Sequence, residues 1–188
     1  MKFVSIFVKY IDRVNYRIGR VIMYGIFVMI GILLWSSVSK TFFLPVDWAL
    51  EIAQFSMVAY YILGGAYSIQ LGSNVRMDLF YGEWTPTRKA QVDAITILFL
   101  IFYLGVLLYG GLGSTAYSFG YFGSDIFGFF SGLLTGSEKI GYLERSPTAW
   151  RPYLWPIKVI MCFGIFMMLL QAICEFIKDI CKIRGIAL

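Results

Sequence analysis

Four long apolar runs dominate this chain and restrict it to a membrane. "RVIMYGIFVMIGILLWSSV" covers residues 20–38, and further runs cover about 48–72, 90–118 and 153–177. At 1.5 Å per residue, each run can cross a hydrocarbon layer of roughly 30 Å as a helix. None alternates with the period of two that a membrane-barrel strand requires. Only 14% of the residues are charged, against about 25% in soluble domains, too few to clothe a soluble particle. The expected architecture is an all-α integral membrane protein, a single four-helix membrane domain over residues 1–188.

Helix ends can be read from local chemistry. Trp35 and then Pro45 close the first span. Asp47 has the side chain of an N-cap for the second, and Thr85 followed by Pro86 at the first helical position opens the third.

The basic residues fix an expected orientation. Lys2, Lys9, Arg13, Arg17 and Arg20 precede the first span, Arg76, Arg88 and Lys89 lie between the second and third, and Lys178, Lys182 and Arg184 follow the fourth. Lys40, Lys139, Arg145 and Arg151 fall on the other side, with Lys158 just inside the fourth helix. Because Lys and Arg gather in cytoplasmic loops, both termini are expected in the cytoplasm. The polar stretch "GSNVRMDLFYGEWTPTRK", residues 72–89, is then a cytoplasmic loop. The net charge of +5 thus reports topology; no basic patch interleaved with stacking aromatics suggests nucleic acid. Ser37-Val38-Ser39 has the small-x-small form of a cleavage site, but the apolar run before it is too long for a signal peptide, so a retained anchor is expected.

Residues 119–142 fit none of the spans. Their continuous apolar part, broken by Gly128 and Gly132, is too short to cross. Ile126, Phe129, Phe130, Leu133 and Leu134 recur at helical spacing, which predicts an interfacial helix or a Gly-rich loop, with Asp125 and Glu138 in water. Asp125, Glu138, Glu144 and Arg145 together form a candidate contact surface on the outer side.

Little in the chain suggests catalysis. It holds no His, which removes imidazole-based acid-base and zinc chemistry. Cys162, Cys174 and Cys181 form no CxxC motif, and no phosphate-binding P-loop occurs. Glu51, Asp93 and Lys158 lie within apolar runs but near helix ends, where the cost of a charge is smaller and long side chains snorkel. Glu51 and Lys158 fall at the same depth from the same face, so they are expected to pair; otherwise Lys158 snorkels to phosphate and Glu51 contacts another subunit or the cap of its own helix. Gly64, Ser68 and Gly72, and likewise Gly110, Ser114 and Ser118, make small-residue stripes that allow close helix packing within the chain or with a partner.

The stretch from Asp47 to Asp93 resembles the small membrane subunit, or DctQ-like family, of tripartite ATP-independent periplasmic (TRAP) transporters. Trp48 with Glu51 three residues on, the Gly65-Ala66 pair, and Val75-Arg76-Met77-Asp78 match the family pattern. Asn74 stands where His is usual, so no imidazole is available there. "ERSPTAW", "LWPIK" and Gln171 are similar to the branch of the family labelled for mannitol, chloroaromatic compounds or 2-oxo acids. Residues 119–142 look like an insertion.

The resemblance implies a scaffold subunit in a bacterial inner membrane, in contact with phospholipids. It implies a large membrane subunit that binds substrate and sodium and moves elevator-fashion, and a periplasmic solute-binding protein that delivers an organic acid. No cofactor is expected in this chain, and no nucleic acid partner. The residues that would serve structure or the subunit interface are Trp48, Glu51, Gly64, Gly65, Ser68, Gly72, Arg76, Asp78, Trp155 and Lys158. Two other readings stand beside it: a self-sufficient four-helix exporter with Glu51 as its proton site, and a structural tetraspan protein.

Overall fold

The computed structural model describes residues 2–43, 46–72 and 84–185. These residues form helices α1 (Lys2–Ile22), α2 (Gly25–Phe42), α3 (Trp48–Gln70), α4 (Pro86–Ser118), α5 (Ile126–Thr135) and α6 (Trp155–Ile183). Four stretches are long and apolar enough to cross a membrane: Phe3–Phe42, Trp48–Gln70, Thr87–Ser118 and Trp155–Ile183. Among the described residues the only β-pairing is an isolated antiparallel bridge between Arg145 and Tyr153. The fold is therefore all-helical.

The first apolar stretch is not one straight helix. Tyr24 N–H donates to the Val21 carbonyl at 3.2 Å, and Phe27 N–H donates to the Tyr24 carbonyl at 3.1 Å. These tighter, three-residue bonds mark a break between α1 and α2. Ahead of it, Val8, Ile11, Asn15 and Gly19 are buried, a spacing of three and four residues that places them on one helix face. Their partners lie on α3 and α6. A Cβ at Gly19 would strike the Tyr67 ring of α3, and Val8 and Ile11 pack with Cys174 of α6. The basic N-terminal stretch is thus a packed helix that crosses from α3 to α6.

The spans form a row, in the order α2, α3, α6, α4. Helix α6 packs against both α3 and α4, whereas α2 packs on α3 and α1, and α4 packs on α6 and α5. Ile62 of α3, Leu104 of α4, and Ile165 and Ala172 of α6 join one apolar core. Close approach on both sides of α6 depends on absent side chains. A Cβ at Gly164 would lie 2.4 Å from Ile62 Cγ2, one at Gly65 2.5 Å from Met168 Sδ, and one at Gly111 3.2 Å from Cys162 Sγ. Packing of this kind holds helices together where water exclusion is not available.

Two expectations about helix starts change. Asp47 occupies the cap position of α3 but has helical dihedrals (φ −69°, ψ −30°) and makes no capping bond through its side chain; an N-cap needs an extended backbone to fold its oxygen back onto the first turn. Thr85 is extended and Pro86 begins α4, yet the Thr85 hydroxyl makes no cap bond either. Asp125 does cap: its Oδ1 accepts from Gly128 N–H at 2.9 Å, opening α5. At the other end Gly136 adopts φ +76°, a left-handed conformation in which a side chain would be strained.

Candidate functional site

Polar side chains gather in two clusters, near opposite ends of the spans. At the end where α4 finishes and α6 begins, Lys158 of α6 is the centre. Its Nζ donates to Glu144 Oε2 at 2.6 Å and to the Ser114 carbonyl of α4 at 3.3 Å. The hydroxyl of Ser118 donates to the same Glu144 oxygen. Burial by itself raises the Glu144 carboxyl, but the hydrogen bonds and charge of Lys158, with the Ser118 bond, outweigh it and hold the group below the ordinary carboxylate range.

Backbone bonds carry the loop to this point. Glu144 N–H donates to the Ser118 carbonyl at 3.1 Å, Gly141 N–H to the Phe119 carbonyl at 2.9 Å, and Leu154 N–H to the Glu144 carbonyl at 3.2 Å. The loop between Glu144 and Leu154 doubles back, with the Arg145 guanidinium 4.5 Å from the Tyr153 ring centroid. Trp155 packs on Phe119, ring centroids 5.8 Å apart. Asp125, Glu138 and Arg145 are exposed nearby, while Glu144 is half-buried.

The expected pair between Glu51 and Lys158 does not form. Lys158 takes the loop carboxylate, because Glu144 follows directly on a segment that is itself bonded to the end of α4. Glu51 is 4% exposed, and among the described residues neither of its carboxylate oxygens has a hydrogen-bond partner. A buried carboxyl without donors is uncommon and costly when ionised. Trp48, one turn earlier, is half-buried.

The second cluster lies where α1 crosses α6, and sequence reasoning missed most of it. Asn15 Nδ2 donates to Gln171 Oε1 at 2.6 Å; Gln171 Nε2 donates to Asp12 Oδ1 at 2.9 Å and to Glu175 Oε1 at 3.0 Å. Lys178 Nζ lies 2.8 Å from both Asp12 Oδ2 and Glu175 Oε1. Gln70 Nε2 of α3 donates to the Asp12 carbonyl at 3.0 Å. Three helices are joined by one network. A signal was present: Gln171, Glu175 and Lys178 share one helix face at spacings of four and three, and Asp12 is the single acid in α1.

The small-residue stripes divide differently than expected. Gly65 and Gly111 face α6, whereas a Cβ at Gly64 or at Gly110 would meet nothing within 4 Å. Gly64 therefore lies on an open side of the row, and Ser68 is half-buried. Gly72 adopts φ +62° just past α3, a role in ending the helix. Ser114 and Ser118 serve the Lys158 cluster. Arg76 and Asp78 lie outside the described residues. Cys162 and Cys174 are buried and Cys181 half-buried, all as free thiols.

A row of apolar spans, with polar clusters tying helices and loops together, defines a multi-pass membrane protein. The family model for tripartite ATP-independent periplasmic transporters, DctQ component, matches residues 29–182. The chain belongs to that family, the small membrane component of TRAP transporters. The family is a transporter component and not an enzyme family, and it works with a large membrane subunit and a solute-binding protein. No curated protein and no solved structure gives a significant match. The matched residues include α3 to α5 whole and most of α2 and α6; α1 precedes them.

Proposed function

We propose that this chain is the scaffold subunit of a TRAP transporter that imports an organic acid across a bacterial inner membrane. In this reading both termini and α1 are cytoplasmic, and the loop from Phe119 to Leu154 faces the periplasm, with α5 lying in the outer interface. The large subunit carries the substrate and sodium sites. This chain braces that subunit against the membrane and offers Asp125, Glu138, Glu144 and Arg145 as periplasmic surface to the solute-binding protein.

The single observation that carries the reading is the row of spans. A layer one helix thick encloses no lumen between its members, but it presents two broad faces. Large apolar side chains stand out from it, including Phe27 at 68% exposure, Phe99 at 70% and Phe102 at 73%. Such a layer suits lipid on one side and a large helical partner on the other. The position open at Gly64 lies on α3, which makes that side of α3 the favoured line of contact.

Reconstitution tests this. Vesicles holding this chain alone should take up no organic acid, and uptake driven by a sodium gradient should require the large subunit and the binding protein as well. Proton-coupled export by the isolated chain, abolished by Glu51→Gln, would replace the scaffold reading with that of a small exporter.

A further inference from the structure

Helix α1 has three faces, and the packing of the chain uses one of them. Val8, Ile11, Asn15 and Gly19 are buried against α3 and α6. A second face is apolar and left open: Phe3 is 88% exposed, Tyr10 64% and Val21 71%, with Phe7 and Val14 on the same side. A third face is basic. Lys9, Arg13, Arg17 and Arg20 are all exposed, and at 100° per residue they fall within an arc of about 80°. The apolar stripe lies beside this arc, and the buried face lies opposite it.

Among the described residues, nothing neutralises the basic stripe. Among the described residues, no carboxylate lies within ion-pair distance of Lys9, Arg13 or Arg17. Asp12, the single acid of α1, points to the packed side and is held by Lys178 and Gln171. The Arg20 guanidinium sits 5.6 Å from the Tyr16 ring centroid. A solvated charged face is the ordinary reading of such a stripe. That reading fails for the neighbouring apolar stripe, because Phe3, Tyr10 and Val21 standing in water would form a costly patch. A helix with an apolar side and a basic side is stable in the plane of a membrane surface, apolar side toward the acyl chains and basic side among the headgroups. Anionic lipids then supply the missing counter-charge.

We infer that Lys9, Arg13, Arg17 and Arg20 of α1 form a docking surface for the headgroups of acidic phospholipids, held at headgroup depth by the Asn15–Gln171 contact to α6. The inference rests on reading the chain as a membrane subunit and is independent of what the transporter carries. Because α1 is bonded to both α3 and α6, lipid charge bound there bears directly on how those spans are held.

The test uses the full chain in phosphatidylcholine vesicles with trace spin-labelled phosphatidylglycerol or spin-labelled phosphatidylcholine, the acidic lipid being present in both leaflets so that orientation does not matter. Electron spin resonance reads the association of each lipid with the protein. The expected result is a preference for the acidic lipid of about fivefold or more, the effect of roughly one Lys or Arg at an anionic surface. It should collapse toward unity at high salt and be unmoved by millimolar inorganic phosphate.

Replacing Lys9, Arg13, Arg17 and Arg20 by Gln should abolish the preference, replacing the three arginines by Lys should keep it, and Arg88→Gln with Lys89→Gln should leave it intact. Absence of a preference in the natural chain, or its persistence in the Gln variant, would overturn the inference. If the fourfold variant fails to insert, Arg13→Gln with Arg17→Gln and the salt titration of the natural chain decide the matter. Cross-linking of position 13 to an acidic protein, without any lipid preference, would assign the stripe to a protein partner instead. Transport failure with lipid preference intact would count against the scaffold function and leave this inference standing.

Discussion

Lys158 Nζ stands 2.6 Å from Glu144 Oε2, so a charge in the first turn of α6 is satisfied by the loop that precedes it rather than by the neighbouring span α3. The pair closes the loop over the end of α4, where the Ser118 hydroxyl and the Ser114 carbonyl complete the cluster. Five expectations follow from this and the other contacts.

Charge exchange separates the two carboxylates. Lys158→Glu should weaken the purified chain, and Glu144→Lys in the same molecule should recover much of the loss. Glu51→Lys combined with Lys158→Glu should recover none of it. Thermal unfolding in detergent provides the readout, and a rescue by Glu51→Lys would show that the pair lies elsewhere.

Acid should loosen the loop that precedes α6. Since Glu144 titrates below its ordinary value when folded, its pairing contributes stability above the unfolded value and loses it as pH falls through the lower folded one. The side chain is partly exposed, so the contribution is about 1–2 kcal/mol. Hydrogen-exchange protection over residues 136–154, taken relative to the intrinsic rate at each pH, should fall below about pH 4, near the ordinary carboxylate range. Glu144→Gln should have the lower protection at neutral pH already and show little further change.

Glu51→Gln should leave the melting temperature of the isolated chain unchanged or higher, because the carboxyl has no described partner to lose and a neutral amide costs less to bury than a carboxylate. A fall in melting temperature as large as that of Glu144→Gln would reveal a donor to Glu51.

Two glycines of α3 and α6 should behave oppositely. Gly164→Leu would drive a side chain into Ile62 and part the two helices, at a cost of about 1–3 kcal/mol. Gly64→Ala enters open space and should leave the isolated chain within about 0.5 kcal/mol of its natural stability. Should Gly64→Leu nevertheless abolish co-purification with the large subunit, the open side of α3 is the subunit interface.

Gln171→Leu should free α1. Losing the amide leaves Asn15 Nδ2 and one face of both Asp12 and Glu175 without their donors or acceptor, which costs about 1–3 kcal/mol. Protease susceptibility of residues 2–22 should rise while the spans remain intact.

The sequence by itself determined the class, the number of spans and the family. Long apolar runs, a charge-poor composition and the Trp48–Glu51 and Gly65-Ala66 pattern suffice for these, because crossing lipid is a property of each segment taken singly. Apolar spacing at Ile126, Phe129, Phe130, Leu133 and Leu134 left a helix or a Gly-rich loop open between the third and fourth spans, and the structure shows the helix, capped by Asp125. What the sequence also left open were the relations between segments. Equal depth made Glu51 and Lys158 plausible partners, yet depth along an axis carries no information about which helices are neighbours or which loop lies closer. The open and packed sides of α3 differ by one residue, Gly64 against Gly65, a distinction that small-residue spacing does not resolve. Packing of α1 was hidden for a related reason: its buried face holds Asn15 and the edge residue Asp12, polar groups that lower the apolar signal and are stable there only because Gln171 and Lys178, more than 150 residues away, supply the matching donors and acceptor. Only the tertiary structure could decide these points, since a buried polar group is read correctly only once its partner is known.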